Sequence, residues 1–210
     1  MRRVGVDDPQ AIAAERRDLA ALLAGLTPEQ WQTPSLCAGW RVRAVAAHLS
    51  MAFRYSMPRV VLSVLRARGD FHRASDRLAR RDAAAMDTGR LVAALSDNAE
   101  HPWTPPGGGP GEALRHDVIH GLDITLPLGL DRKVPPDRLI LAMPADLTAK
   151  SITFFGADLD GVRFAADDLG WSAGSGDLVR GSAQDILLAV TGRKLPAGRL
   201  SGAAAARFTS

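Results

Sequence analysis

The sequence predicts a mainly α protein: an antiparallel helical bundle over residues 1–150, then a small α+β domain over residues 151–210. Three observations lead there. Up to about Lys150, apolar residues recur at three- and four-residue spacings behind capping residues, with short connectors between them. After Phe155 the pattern changes, and Val162 and Phe164 alternate about Arg163 beside glycine-rich turn residues. The chain has 210 residues and is 46% hydrophobic, enough for a sizeable core. The C-terminal piece is too short to stand alone and is expected to dock on the bundle.

The elements follow in order. Asp8-Pro9 starts a helix, with Asp as cap and Pro at the first helical position. Ala14, Leu19, Leu22 and Leu23 carry it, and Gly25 stops it. Thr27-Pro28-Glu29-Gln30 reads as a capping box opening one short turn. Residues 33–40 are a connector with turn chemistry. From Arg41, Val42, Val45, Ala46, Leu49 and Phe53 mark one apolar helix face, with His48 beside it. Pro58 kinks or restarts this helix, and helix continues through Arg81. Asp87 caps a helix from Thr88 to about Glu100. The Pro- and Gly-rich stretch from His101 to Pro110 is a loop that leads into a helix over 111–126. Pro136 starts a further helix to about Lys150. Residues 173–177 are a hairpin turn with Leu178 to Arg180 returning as a strand, and Ser182 with Asp185 caps the last helix, ended by Gly192. The tail from Ala203 to Ser210 is expected to fray.

Composition narrows the classes. One cysteine, Cys37, excludes an intramolecular disulfide and a multi-thiolate metal site, so a metal here must use His, Asp or Glu. Net charge is +3, and of 26 basic residues only Lys133, Lys150 and Lys194 are lysines. The arginines are scattered, and with one Tyr and six Phe few aromatics are available to stack bases, so no nucleic-acid partner is expected. No apolar run reaches the length of a transmembrane helix, the first residues turn acidic at once, and a cytoplasmic protein without membrane attachment is expected.

The chemistry concentrates at Arg115-His116-Asp117-Val118-Ile119-His120-Gly121-Leu122-Asp123. On a helix, His116 and His120 project from one face a turn apart, which is half of a metal site. Two ordinary polar residues would give the same pattern. His48 on another helix is the candidate third ligand, although a histidine beside an apolar face also serves as a hydrogen-bonded core residue. Three imidazoles would leave the ion its full charge and an open position, which suits catalysis. Asp123 and Asp117 can accept from imidazole N–H groups, with Asp117 read as part of a solvated helix face. Glu112, one turn before His116, is an alternative ligand.

Thr33-Pro34-Ser35-Leu36-Cys37-Ala38-Gly39-Trp40 leading to His48-Leu49 resembles the signature of the mycothiol-dependent maleylpyruvate isomerase family. So do His116, His120 and Asp123 before Pro127-Leu128-Gly129, and the segment from Trp171 through Val179-Arg180-Gly181 to Thr191-Gly192-Arg193. The resemblance implies a DinB-like four-helix bundle followed by the small α+β domain, a divalent metal on His48, His116 and His120, and mycothiol as thiol co-substrate. Zinc is the expected ion, with nickel, iron or manganese as alternatives. Two positions depart from the pattern: His116 stands where the isomerases proper carry Glu, and Arg41 where relatives carry a capping Thr. The ligand set survives the first change but its net charge does not.

The implied activity is isomerisation of, or S-transfer to, a small electrophilic substrate. Arg180 and Arg193 are candidates to bind a substrate carboxylate, in a cavity expected near the glycines at 107–109. Cys37 is read as a packed residue, and the protein as a monomer or homodimer. A metal-dependent hydrolase without thiol and a non-catalytic metal-binding stress-response module are the alternatives.

Overall fold

The computed structural model describes residues 8–106, 108–148 and 150–210, so Gly107 of the glycine-rich loop lies outside the described residues. The protein is mainly helical with one small sheet. Contacts divide it into two compact units. One holds residues 8–104 and 123–131, and the other holds 105–122 and 132–210.

In the first unit, α1 (Pro9–Ala24) begins as expected: the Asp8 carboxylate accepts from the Gln10 and Ala11 N–H groups at 2.9 and 3.3 Å. Thr27 and Gln30 close the capping box of α2 (Pro28–Gln32). The connector ends with a bridge between Pro34 and Arg41, then α3 (Val42–Arg54) follows. Arg41 sits at its cap position without a side-chain cap; its guanidinium donates instead to the Gln32 carbonyl. The break at Tyr55-Ser56 precedes Pro58, and α4 (Met57–Arg66) restarts with that proline in its first turn. Then come α5 (Phe71–Ala85), capped by Asp70, and α6 (Thr88–Ser96), capped by Asp87. The last of these stops four residues short of the expected Glu100. α1 packs on α6, and α3 packs on α5 and α6. Their shared core holds Leu19, Leu23, Trp31, Val45, Leu49, Leu91 and Leu95, all nearly or fully buried. Arg16 is also fully buried, which its arginine-rich surroundings gave no reason to expect; it donates to the Ala99 and His101 carbonyls at 3.2 and 2.6 Å.

Helix α7 (Pro110–Thr125) runs through the division, with its first part to Leu122 in one unit and its last turn from Asp123 in the other.

In the second unit, α8 (Pro136–Ala142) ends well before the expected Lys150. The reason is Pro144: the residue before a proline is pushed out of the helical region, and Met143 is extended at ψ 141°. A separate turn, α9, spans Lys150–Thr153. Strands β1 (Val162–Ala166), β2 (Ser172–Gly174), β3 (Asp177–Gly181) and β4 (Leu200–Ser201) form one sheet in the order β2-β1-β3-β4. The turn at Ser175-Gly176 therefore does not make a hairpin. β3 crosses the start of β1 and pairs with it in parallel, Phe164 opposite Val179, while β2 pairs antiparallel on the other side. Gly174 and Gly176 permit the crossing, with φ of +84° and +114°; a Cβ on them would lie 2.2 and 2.1 Å from the Val162 and Gly161 carbonyl oxygens. Helix α10 (Ala183–Val190) lies on β1 and β3, and the Ser182 hydroxyl accepts from the Asp185 N–H at 3.2 Å.

The tail does not fray. Residues Ala205–Phe208 form a 3-10 turn, Phe208 is buried with its ring edge-on to Phe164 at 5.0 Å, and Thr209 bridges to Leu195. Phe208 supplies the apolar anchor, and Arg207 adds bonds to the Asp160 and Asp158 carbonyls at 2.9 and 3.0 Å.

Candidate metal centre

His48 lies on α3 between the buried Val45 and Leu49 and is itself half-buried. Its Nδ1 is 3.1 Å from the Ser75 hydroxyl on α5. The Trp40 ring lies 5.2 Å from the imidazole and is fixed in turn by donating from Nε1 to Asp76 at 2.7 Å. Arg80 donates to the same carboxylate oxygen at 2.7 Å. Burial pushes the Asp76 carboxyl up, but the bonds from Trp40 and Arg80 outweigh it and hold the group below the ordinary carboxylate value. With Ser75 on Nδ1, Nε2 is the nitrogen of His48 suited to a metal. Ser75 belongs to no motif. Its role follows only from the packing of α3 on α5, and the sequence carried no signal for it.

His116 and His120 stand on α7 as the four-residue spacing requires, with rings edge-to-face at 4.7 Å. Asp117 is not on a solvated face. It is 3% exposed and its carboxylate is 3.0 Å from the Nδ1 of His116. The cause is the helix itself, which from Ala113 to Thr125 is buried at every position except His116 and so has no wet side. The bond again points to Nε2 as the metal-facing nitrogen. His48, His116 and His120 can each offer one ring nitrogen, and these three atoms lie within 4.8 Å of one another.

Asp123 follows His120 by three residues and is fully buried. Its carboxylate accepts from the Cys37 thiol at 3.0 Å, and its carbonyl accepts from the Leu36 N–H at 3.0 Å. Cys37 is thus a packed and bonded residue that ties the connector to the end of α7. Glu112 acts as a cap rather than a ligand: its carboxylate accepts from the Gly109 N–H at 2.9 Å. Arg115 is buried, donates to the Ala142 carbonyl at 2.6 Å, and closes the end of α8. Burial draws its guanidinium below the ordinary arginine value, against the pull of Glu112. Of the two arginines expected at a substrate, Arg180 is half-exposed on β3 and pairs with Asp167 at 2.5 Å. Arg193 lies over the Phe155 ring at 5.2 Å and lines a cavity of about 330 Å³ with Lys194, Arg207 and Phe208.

The chain as a whole is similar to known proteins. A family model described as the mycothiol maleylpyruvate isomerase N-terminal domain matches residues 12–125. The chain belongs to that family. Among solved structures it is similar to one described as the crystal structure of the mycothiol-dependent maleylpyruvate isomerase. The TM-score is 0.52 and the identity 14%, over 94% of this chain and 92% of that one. At that identity the likeness concerns the fold, and it extends through the C-terminal α+β part that the family model does not reach. No curated protein matches the sequence. In this family member no helix among the described residues is long and apolar enough to cross a membrane.

Proposed function

We propose that the protein is a divalent-metal-dependent enzyme that activates a low-molecular-weight thiol, mycothiol, for isomerisation of or S-transfer to a small electrophilic substrate. The observation that carries the reading is the set of three imidazole nitrogens within 4.8 Å on residues His48, His116 and His120. Membership of the family whose model matches residues 12–125 supplies the thiol. A divalent ion held there, zinc being the expected one among the several that suit imidazole, would lower the pKa of a coordinating thiol towards neutrality.

The chain's own residues prepare for this. Asp117 accepts at Nδ1 of His116 and so favours the tautomer that presents Nε2, and Ser75 engages Nδ1 of His48 and orients that ring. Leu36 and Cys37 fix the end of α7 through Asp123, three residues beyond His120. For a substrate carboxylate Arg193 is the candidate that lines a cavity, where it donates to the Thr191 carbonyl at 2.6 Å and its neighbour Arg207 pairs with Asp158 at 2.8 Å, while Arg180 pairs with Asp167.

Elemental analysis of the purified protein tests the metal, and calorimetry with mycothiol against a simple carboxylate tests the thiol. The reading expects about one divalent ion per chain, its loss in His48→Ala, and a preference for the thiol. Metal content unchanged by His48→Ala refutes the ligand set. A loaded protein without thiol preference points to water activation and hydrolysis instead.

A further inference from the structure

Helix α4 is out of keeping with the rest of the molecule. None of its residues is buried. Met57, Val61 and Leu65 stand four residues apart in one stripe, 57%, 51% and 67% exposed, with Leu62 beside them at 45%. Phe71, just past the turn that follows, is 38% exposed. These five make up most of the large exposed apolar side chains among the described residues; the other three, Ile140, Phe154 and Leu178, are scattered.

Charge is concentrated at the same place. Residues 54–82 carry eight arginines and three aspartates, a net of +5 in a chain whose total is +3, so the remainder is net negative. Asp76 and Asp82 are engaged by Arg80, Arg54 and Arg81, and Asp70 caps α5. Arg59, Arg66, Arg68, Arg73 and Arg77 are exposed and form no ion pair among the described residues.

We propose that α4 and the turn to Phe71 form a docking surface for an anionic lipid surface. An apolar stripe bordered by arginines is the pattern of a helix that lies in a membrane interface, its side chains among the acyl chains and its guanidinium groups at the headgroups. A second copy of the chain fits less well. Two-fold pairing along the stripe would set the arginines of one copy against those of the other. A lipid surface needs no matching shape and supplies the negative charge. α4 joins the helix that carries His48 to the helix that carries Ser75. The docking surface does not depend on the proposed reaction.

Co-sedimentation of the full chain with vesicles tests it, using phosphatidylcholine alone and phosphatidylcholine with a quarter phosphatidylglycerol. Expected is about tenfold more protein on the anionic vesicles at low salt, most of it released at high salt. Val61→Asp with Leu65→Asp abolishes the binding, and Arg66→Glu with Arg73→Glu weakens it severalfold. Leu65→Trp gives a direct reading that does not depend on losing anything. Its emission, less that of the parent, shifts to the blue on anionic vesicles. No binding to the anionic vesicles, binding unchanged by the two aspartates, or no blue shift overturns the proposal. So does a dimer in light scattering that Leu65→Asp dissociates, which would assign the stripe to a second copy.

Discussion

Asp82 shows what a buried carboxylate needs in this protein. It is 5% exposed and accepts from Arg54 at 2.6 Å, from the Tyr55 hydroxyl at 2.7 Å and from Arg81 at 3.0 Å. Burial pushes its pKa up, but the bonds from Tyr55, Arg54 and Arg81 outweigh burial and leave it below the ordinary value of 3.8. A carboxylate depressed on folding stabilises the folded state above its unfolded pKa and loses that contribution as pH falls through the folded one. Asp82→Asn should therefore cost about 2 kcal/mol in urea denaturation at neutral pH. The gap between parent and variant should close as pH is lowered below 3.8. An equal gap at neutral and strongly acid pH would refute the assignment. The candidate metal centre was legible in the sequence where helical spacing governs, at His116 and His120, and where a motif does, at His48. It was not legible where tertiary packing decides: Ser75 meets His48 only because α5 lies on α3, and Asp117 is dry only because α7 is buried all round. Ser75→Ala should keep the metal but bind it about tenfold or more weakly, the usual effect of losing a partner that orients a ligand. Unchanged affinity in a metal titration would deny Ser75 that role.

The helices began where their caps said they would, at Asp8, Thr27, Asp87 and Ser182, because a cap is a local hydrogen bond between a side chain and the next few amides. Their ends were less legible. Met143 leaves the helical region ahead of Pro144, a signal present in the sequence, whereas α6 stops at Ser96 with neither glycine nor proline there to mark it. Strand order was the least accessible, since alternation marks a strand but says nothing about its neighbour. Two glycines decide it, as they let the chain cross the start of β1 at a separation no Cβ allows. Gly176→Ala should accordingly cost about 3 kcal/mol, from backbone strain at φ +114° and the clash with the Gly161 carbonyl. Hydrogen exchange would show where the cost falls: amides of β3 should lose protection, while those of α1 and α3 keep theirs. Gly198→Ala is the comparison, with a φ of +85° but nothing near its Cβ, so it carries strain alone and should cost less.

Taken across the chain, a net charge of +3 conceals an uneven molecule, with the excess positive charge gathered in residues 54–82. Composition alone could not show this, because arginines are scattered along the sequence and only burial and pairing separate the engaged ones from the exposed ones. The same distinction between local and assembled features governs the metal. His116 and His120 are neighbours on any helix, but His48 comes from a distant part of the chain, so the three nitrogens gather only in the folded protein. A metal that needs all three binds the folded state far better than the unfolded one and must stabilise it by linkage. At a free ion concentration about a hundredfold above Kd the gain is about 2.7 kcal/mol. In a protein of this size that raises Tm by about 5–10 °C. Thermal unfolding with added zinc and with chelator should differ by that amount in the parent. The difference should shrink sharply in His48→Ala, which keeps the α7 pair and loses only the assembled ligand. If parent and variant respond equally, the ion is held by His116 and His120 alone, and the three-histidine centre is wrong.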